Sequence, residues 1–211
     1  NKLLKDEKKD ATDFGKEILP DCIGKYKVQS YQYEGYWTDI GNIYSFFEAN
    51  LSLTLDIPPF NLFDKQKMVF SRARMLPPAK ISGTQMEQAI FAEGCIIRAK
   101  SIANSVIGIR SRIGEGTVIK SCYIMGSDSY ETLVEIAHNY ERGIPKIGIG
   151  DNCELTNVIM DKDCRVGNNV IINGGAHLPD SDHSLYTVKD GIVVVKKGAI
   201  IPDGYQIGVG G

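Results

Sequence analysis

From Ile90 to Ile207 the apolar positions keep neither the two-residue beat of a simple strand nor the 3.6-residue beat of a helix. They recur at five or six. Ile90, Ile96 and Ile102 are six apart, and Ile107, Ile113 and Ile119 repeat that spacing after a five-residue step. The series resumes at Ile149, Leu155, Met160, Val166 and Ile172, then at Val195, Ile201 and Ile207. Glycine often comes next, as at Ile107-Gly108, Ile113-Gly114 and Val166-Gly167. One inward aliphatic per six residues is the hexapeptide pattern of a parallel β-helix, where each flat side points a branched side chain to the axis and Gly or Asn turns the corner. In this register Ile90 stacks on Ile107 and Ile124, and Ile102 on Ile119. The pattern predicts a β-helix over 81–211 with two interruptions. In "SDSYETLVEIAHNYERGIP", Leu133, Ile136, Ala137 and Tyr140 share a helical face, which predicts a helix looped out of the stack. "NGGAHLPDSDHSLYTVKDG" reads as a second protruding loop.

Upstream the pattern changes. Residues 1–55 read as mixed α/β: a charged opening helix, then "GKYKVQSYQYEGYW" with strand-like alternation, then "NIYSFFEANLSL". In the last piece Ile43, Phe46, Phe47 and Leu51 recur at helical spacing behind a cap near Asn42. Residues 56–80 carry two Pro-Pro pairs, which block helix and remove backbone donors, so they read as an extended linker.

Charge narrows the partners. With 24 Lys+Arg against 26 Asp+Glu the net charge is -2, so no global field points to nucleic acid or an anionic membrane. Any anion site must be a local cluster. No apolar run reaches bilayer length, and the first residues carry no targeting signal. Five cysteines, an odd number without a C-x-x-C pair, argue against a disulfide framework or a zinc site and for buried thiols in a reducing compartment. A β-helix on its own fits a hexapeptide acyltransferase, which needs a histidine as general base. His138, His177 and His183 all fall in the excursions, none on a coil face. It also fits a scaffold or oligomerisation module, which leaves "GYWTDIG" at 35–41 unexplained.

Nine segments follow one another in a specific order: "DFGKEILP" at 13–20, "GYWTDIGN" at 35–42, "FFEANL" at 46–51, "RMLPP" at 74–78, "VIGIRSRI" at 106–113, "MGSDSYET" at 125–132, "GIGDN" at 148–152, "MDKDCRVGNNV" at 160–170 and "VKDGIVVVKKGAIIPDG" at 188–204. In that order and spacing they resemble the C-terminal portion of the glucose-1-phosphate adenylyltransferase (ADP-glucose pyrophosphorylase) family. The resemblance implies a mainly β fold: a left-handed parallel β-helix preceded by the C-terminal remnant of an α/β Rossmann-like nucleotidyltransferase domain. It implies the reaction of ATP with glucose 1-phosphate to give ADP-glucose and pyrophosphate, in a tetramer controlled by phosphorylated glycolytic effectors. No glycine-rich G-x-G-T-R-x nucleotide loop occurs here, so the chain is expected not to catalyse by itself.

Both reactants are polyanions, and Mg²⁺ is the natural means of holding them together. Mg²⁺ takes one or two rigid carboxylates and completes its octahedron with water and phosphate oxygens. Asp39 suits that role: it lies between glycines at a strand-to-helix junction, with a helix N-terminus beyond that favours phosphate. By resemblance it matches a metal-binding and catalytic Asp; the alternative is that it caps the helix. Asp13 matches an element lining the sugar-phosphate side of the pocket, or caps a short helix. Trp37 walls the sugar pocket or packs in the core, with packing and some pocket contact preferred. Lys162 and Lys197 match positions for phosphate-bearing activators, Lys189 a position usually basic, and Arg74 a linker arginine for anions; Arg165 is a neighbour. The loop at 173–191 departs from the plant and cyanobacterial pattern, which points to a bacterial cytoplasm and glycogen synthesis ahead of a plastid.

Overall fold

The structure is a computed structural model that describes Lys5 and residues 9–209; the opening helix expected before residue 9 falls largely outside them. By internal contacts the chain divides after Tyr36 into two units.

The first unit holds a wide helical turn, Phe14–Ile18, running into helix α1 (Leu19–Cys22). Asp13 starts it: its Oδ1 accepts from the Lys16 N–H at 2.9 Å, and the Glu17 carboxylate accepts in return from the Asp13 N–H at 2.9 Å. Two orphan donors are thereby satisfied reciprocally. Pro20 falls in the first turn of α1, where its missing N–H costs no helical bond. The strand expected over residues 24–37 does not form; one isolated bridge, Ile23 to Tyr26, is present instead. Alternation prepares a segment for a sheet, yet a strand needs a neighbour to take its N–H and C=O groups. The described residues offer it none, and Tyr31 and Tyr33 stand exposed.

The second unit is a parallel β-helix. One flat side stacks six two-residue strands in the order β1 (Lys80–Ile81), β3 (Ile96–Ile97), β5 (Arg112–Ile113), β7 (Gly148–Ile149), β9 (Arg165–Val166) and β14 (Ile200–Ile201). The other two sides come from longer strands bent over a corner: β2 (Gln85–Phe91), β4 (Ser101–Ile107), β6 (Val118–Ile124) and β8 (Glu154–Met160). At their midpoints Gln88, Asn104, Ser121 and Asn157 take φ of 46°, 45°, 50° and 51°. Asn tolerates that left-handed conformation better than most residues, so the corner column is partly written in side-chain chemistry.

Three columns of side chains fill the axis. Ile97, Ile113, Ile149, Val166 and Ile201 form one; Ile102, Ile119, Leu155, Ile172 and Ile207 a second; Phe91, Ile107, Ile124, Met160 and Val195 the third. Most of them are buried to the last few per cent. In the first coil the inward residues are Phe91 and Ile97, so the assignment of Ile90 and Ile96 is corrected by one position: Ile90 pairs with Val106, not Ile107. Adjacent apolar residues, Ile90-Phe91 and Ile96-Ile97, leave the alternation of so short a side undecided. A one-residue slip reverses every side chain, and only pairing to the next coil fixes it.

The second excursion is more ordered than a loop. The chain leaves the stack after β10 (Ile171–Asn173), which pairs with β8, and returns at β13 (Ile192–Val195), which pairs with the second half of β8. In between, β11 (Ser181–Asp182), β12 (Tyr186–Lys189) and β13 make an antiparallel meander. The last coil ends with β15 (Gln206–Ile207) on β10. Helix α2 (Ile43–Leu51), capped by Asn42 through the Ser45 N–H at 2.7 Å, packs Phe47 and Leu51 on Ile159 and Ile192. Phe46 meets Tyr123 edge to face at 5.2 Å. The sequence grouped α2 with residues 1–55; its apolar face is spent on the β-helix. Residues 55–79 carry no helix or strand, as the Pro-Pro pairs predict.

Side chains also tie coil to coil at a corner. Asp203 Oδ1 accepts from the Asn168 N–H at 2.7 Å, Asn168 Oδ1 from the Asp151 N–H at 2.9 Å, and Asp151 Oδ1 from the Glu115 N–H at 2.7 Å. Asn168→Ala, which breaks the middle rung, is expected to cost about 1–2 kcal/mol in urea unfolding; an unchanged midpoint would remove the ladder from the account of stability. All five cysteines are free and buried. Burial pushes the Cys122 thiol up to about 12 and that of Cys164 to about 11, which leaves both unreactive near neutrality.

Candidate functional site

The first excursion leaves β6 through Gly126, whose φ of 83° and close approach to the Ile109 carbonyl exclude any side chain. It carries helix α3 (Leu133–Glu141), begun by a reciprocal capping box between Thr132 and Glu135. The helix is where its periodicity predicts, but Leu133, Val134 and Tyr140 are exposed. What holds the excursion to the stack is polar. The Glu131 carboxylate, 5% exposed, accepts from Arg165 Nη1 at 2.6 Å, the Ile147 N–H at 2.7 Å and Asn139 Nδ2 at 2.9 Å. Arg165 donates also to the Pro145 carbonyl at 2.7 Å, and the Tyr130 hydroxyl to the Gly94 carbonyl at 2.8 Å.

Burial alone would push the Glu131 carboxyl up, but the donors from Ile147, Arg165 and Asn139 together hold it below the usual glutamate range. A depressed folded-state value means the contribution is present above the unfolded value and is lost as pH falls through the folded one. Acidification below the ordinary glutamate range is therefore expected to loosen residues 128–147 ahead of the coils, read as faster amide exchange there. Glu131→Gln should shrink that pH dependence, leaving the shares of Asp128 and Glu135, whose carboxyls are also held below their ordinary range by Lys162 and by the Thr132 cap.

Lys162 and Lys197 occupy the same position on consecutive coils, since Arg165 pairs with Ile200 and each lysine lies three residues before its strand. Neighbouring strands are about 4.8 Å apart, so two like charges stand side by side. Asp128, at the root of the excursion, meets both: its Oδ1 lies 2.6 Å from Lys162 Nζ and its Oδ2 3.4 Å from Lys197 Nζ. Asp163 lies 4.0 Å from Lys197 Nζ, and its Oδ1 accepts from the Asp128 N–H at 2.8 Å.

The other expected anion ligands lie apart in role. Arg165 is committed to Glu131 and positions the excursion. Lys189 pairs with Asp180 within the meander, as Lys196 does with Asp182 and the His183 carbonyl. Arg74 is exposed on the linker. Asp128 and Glu131 lie in the "MGSDSYET" stretch, where acidic residues at the mouth of an excursion, opposite lysine-bearing turns, are the sequence signal for this cluster.

Asp13 lies in the first unit and Asp39 in the second. Asp39 Oδ1 accepts from the Gly41 N–H at 3.0 Å, which fixes the carboxylate in a turn just before α2. The helix cap is Asn42, so the alternative capping role for Asp39 is replaced by this turn. Trp37 is 77% exposed, which corrects its expected packing: the extended segment around it has no strand neighbour among the described residues to cover the ring. Among the described residues no group of three His, Cys, Asp or Glu gathers to hold a metal. Asp39 is a single hard oxygen donor whose second oxygen accepts no hydrogen bond among those residues, chemistry that would suit Mg²⁺ completed by phosphate oxygens and water. Two of the three histidines are engaged elsewhere, His177 near the Gly208 carbonyl at 3.1 Å and His183 stacked on Tyr186, while His138 lies exposed on α3.

The family model described as GLGC left-handed parallel beta-helix domain matches residues 74–206. The chain belongs to the GLGC left-handed β-helix family. Its residues 1–55 match the model described as nucleotidyl transferase. A GLGC β-helix following nucleotidyl transferase residues is the make-up of the C-terminal portion of a glucose-1-phosphate adenylyltransferase, and it supports a nucleotidyltransferase-like role. The GLGC match begins at Arg74, within the segment that precedes the first strand at Lys80. Within the described residues no helix is long and apolar enough to cross a membrane.

Proposed function

We propose that the polypeptide carrying this chain is a glucose-1-phosphate adenylyltransferase, joining ATP and glucose 1-phosphate to give ADP-glucose and pyrophosphate. The order of the two family matches, nucleotidyl transferase then GLGC β-helix, is the observation that carries the reading. A phosphate oxygen of glucose 1-phosphate attacks the α-phosphorus of ATP, and pyrophosphate leaves, so the barrier is one of alignment and charge. Mg²⁺ would neutralise phosphate charge there, with Asp39 among its ligands. The Gly41 N–H fixes the Asp39 carboxylate in the turn just before α2. Asp13 serves the sugar-phosphate side and Trp37, being exposed, offers its ring to the sugar. The nucleotide loop must come from residues other than these. The β-helix serves assembly into a homotetramer and regulation, with Lys162 and Lys197 receiving phosphorylated effectors and Arg74 as a further basic position, while Arg165 and Lys189 act through their pairs with Glu131 and Asp180. The setting is a bacterial cytoplasm and glycogen synthesis.

Assay of the intact polypeptide with ATP, glucose 1-phosphate and Mg²⁺ should give ADP-glucose and pyrophosphate. Acyl transfer from acetyl-CoA with no nucleotide-sugar product would replace this reading by the acyltransferase one. In the same protein Lys197→Ala is expected to raise the concentration of a phosphorylated effector needed for half-maximal response by about threefold to tenfold, the range of one charge-assisted contact. Identical activation curves would take Lys197 out of the site.

A further inference from the structure

We propose that Asp128 is a built-in rival for the anion that Lys162 and Lys197 receive, so that anion binding and anchoring of the α3 excursion oppose one another. The proposal rests on the effector reading of these two lysines. Each oxygen of the Asp128 carboxylate meets one lysine, Oδ1 with Lys162 at 2.6 Å and Oδ2 with Lys197 at 3.4 Å. A phosphate bridging the same pair would use two of its oxygens in the same way. With Asp163 4.0 Å from Lys197, two cations already face two carboxylates, so an incoming dianion must displace a carboxylate to gain its full attraction. Asp128 is the one to yield. It belongs to the excursion, whereas Asp163 is part of the coil turn and holds the Asp128 N–H at 2.8 Å.

The hydrogen bond from Lys162, then the charge and bond of Lys197, hold the Asp128 carboxyl below its ordinary range, so it is ionised and present as a competitor near neutrality. Its tether gives it a high effective concentration; phosphate brings the larger charge. Displacement releases the root of the excursion only, because Glu131 with Arg165 and Tyr130 with Gly94 still fasten the rest. By linkage, whatever loosens the root strengthens anion binding by the same factor.

The test is a titration of the chain with inorganic phosphate at low ionic strength, following the lysine side-chain NMR signals and amide exchange at Asp128. In the parent, Lys162 and Lys197 should shift saturably and phosphate should speed Asp128 amide exchange severalfold. Asp128→Asn, at an exposed position the stack does not need, should bind phosphate about threefold to fivefold more tightly, the scale of one or two surface ion pairs. Its exchange at residue 128 should already be fast and indifferent to phosphate. If the parent binds at both lysines but Asp128→Asn binds no tighter and exchange is unaltered, the rivalry is wrong and the anion site stands. Absence of a saturable shift at either lysine, in parent and variant alike, overturns the site and the rivalry together.

Discussion

Asp39→Asn in the intact enzyme is expected to lower ADP-glucose formation on the order of a hundredfold, with the deficit persisting at every Mg²⁺ concentration. The size follows from removing one fixed electrostatic group from a reaction between polyanions. Asparagine is the informative replacement because its amide oxygen still accepts from the Gly41 N–H, and Asn42 still caps α2. The turn and the helix survive, so lost turnover reports the charge. A far-ultraviolet spectrum matching the parent would secure that point. Undiminished turnover at saturating and limiting Mg²⁺ would remove the metal role from Asp39.

Ile119→Ala is the substitution with the largest expected effect on stability. Ile119 is 1% exposed and sits in the column between Ile102 and Leu155, so the cavity has no route to collapse except by moving two neighbouring coils. Losses for such truncations run about 2–5 kcal/mol. In a solenoid each coil leans only on those beside it, so a dent in the middle weakens the interfaces on both sides. Lys120→Ala next to it, pointing outward, should change stability by less than about 0.5 kcal/mol. Urea unfolding of the two variants gives the comparison, and equal midpoints would contradict the axial packing.

The coil was readable because its chemistry is periodic and local: one aliphatic inward, one small or amide residue at the turn. Where doublets such as Ile96-Ile97 blur that beat, register depends on the next coil, and the sequence placed it one residue off. Helix α2 was legible from Ile43, Phe46, Phe47 and Leu51 and from the Asn42 cap, but not where its apolar face would go, since apolarity names no partner. Residues 24–37 failed for the opposite reason: alternation was present and a neighbouring strand was not. Of the site, the lysines were visible from the resemblance. Their pairing with Asp128 was not, because it joins residues more than thirty apart whose meeting depends on how an excursion folds back.

The stack also acts as a ruler. Because Lys162 and Lys197 ride on adjacent coils, the gap between their backbones is set by main-chain hydrogen bonds at about 4.8 Å, whatever the side chains do. A molecule that engages both must present its acceptors at a span compatible with that pitch. Adding a basic residue one coil further along would select for a longer, doubly charged molecule in steps of fixed size.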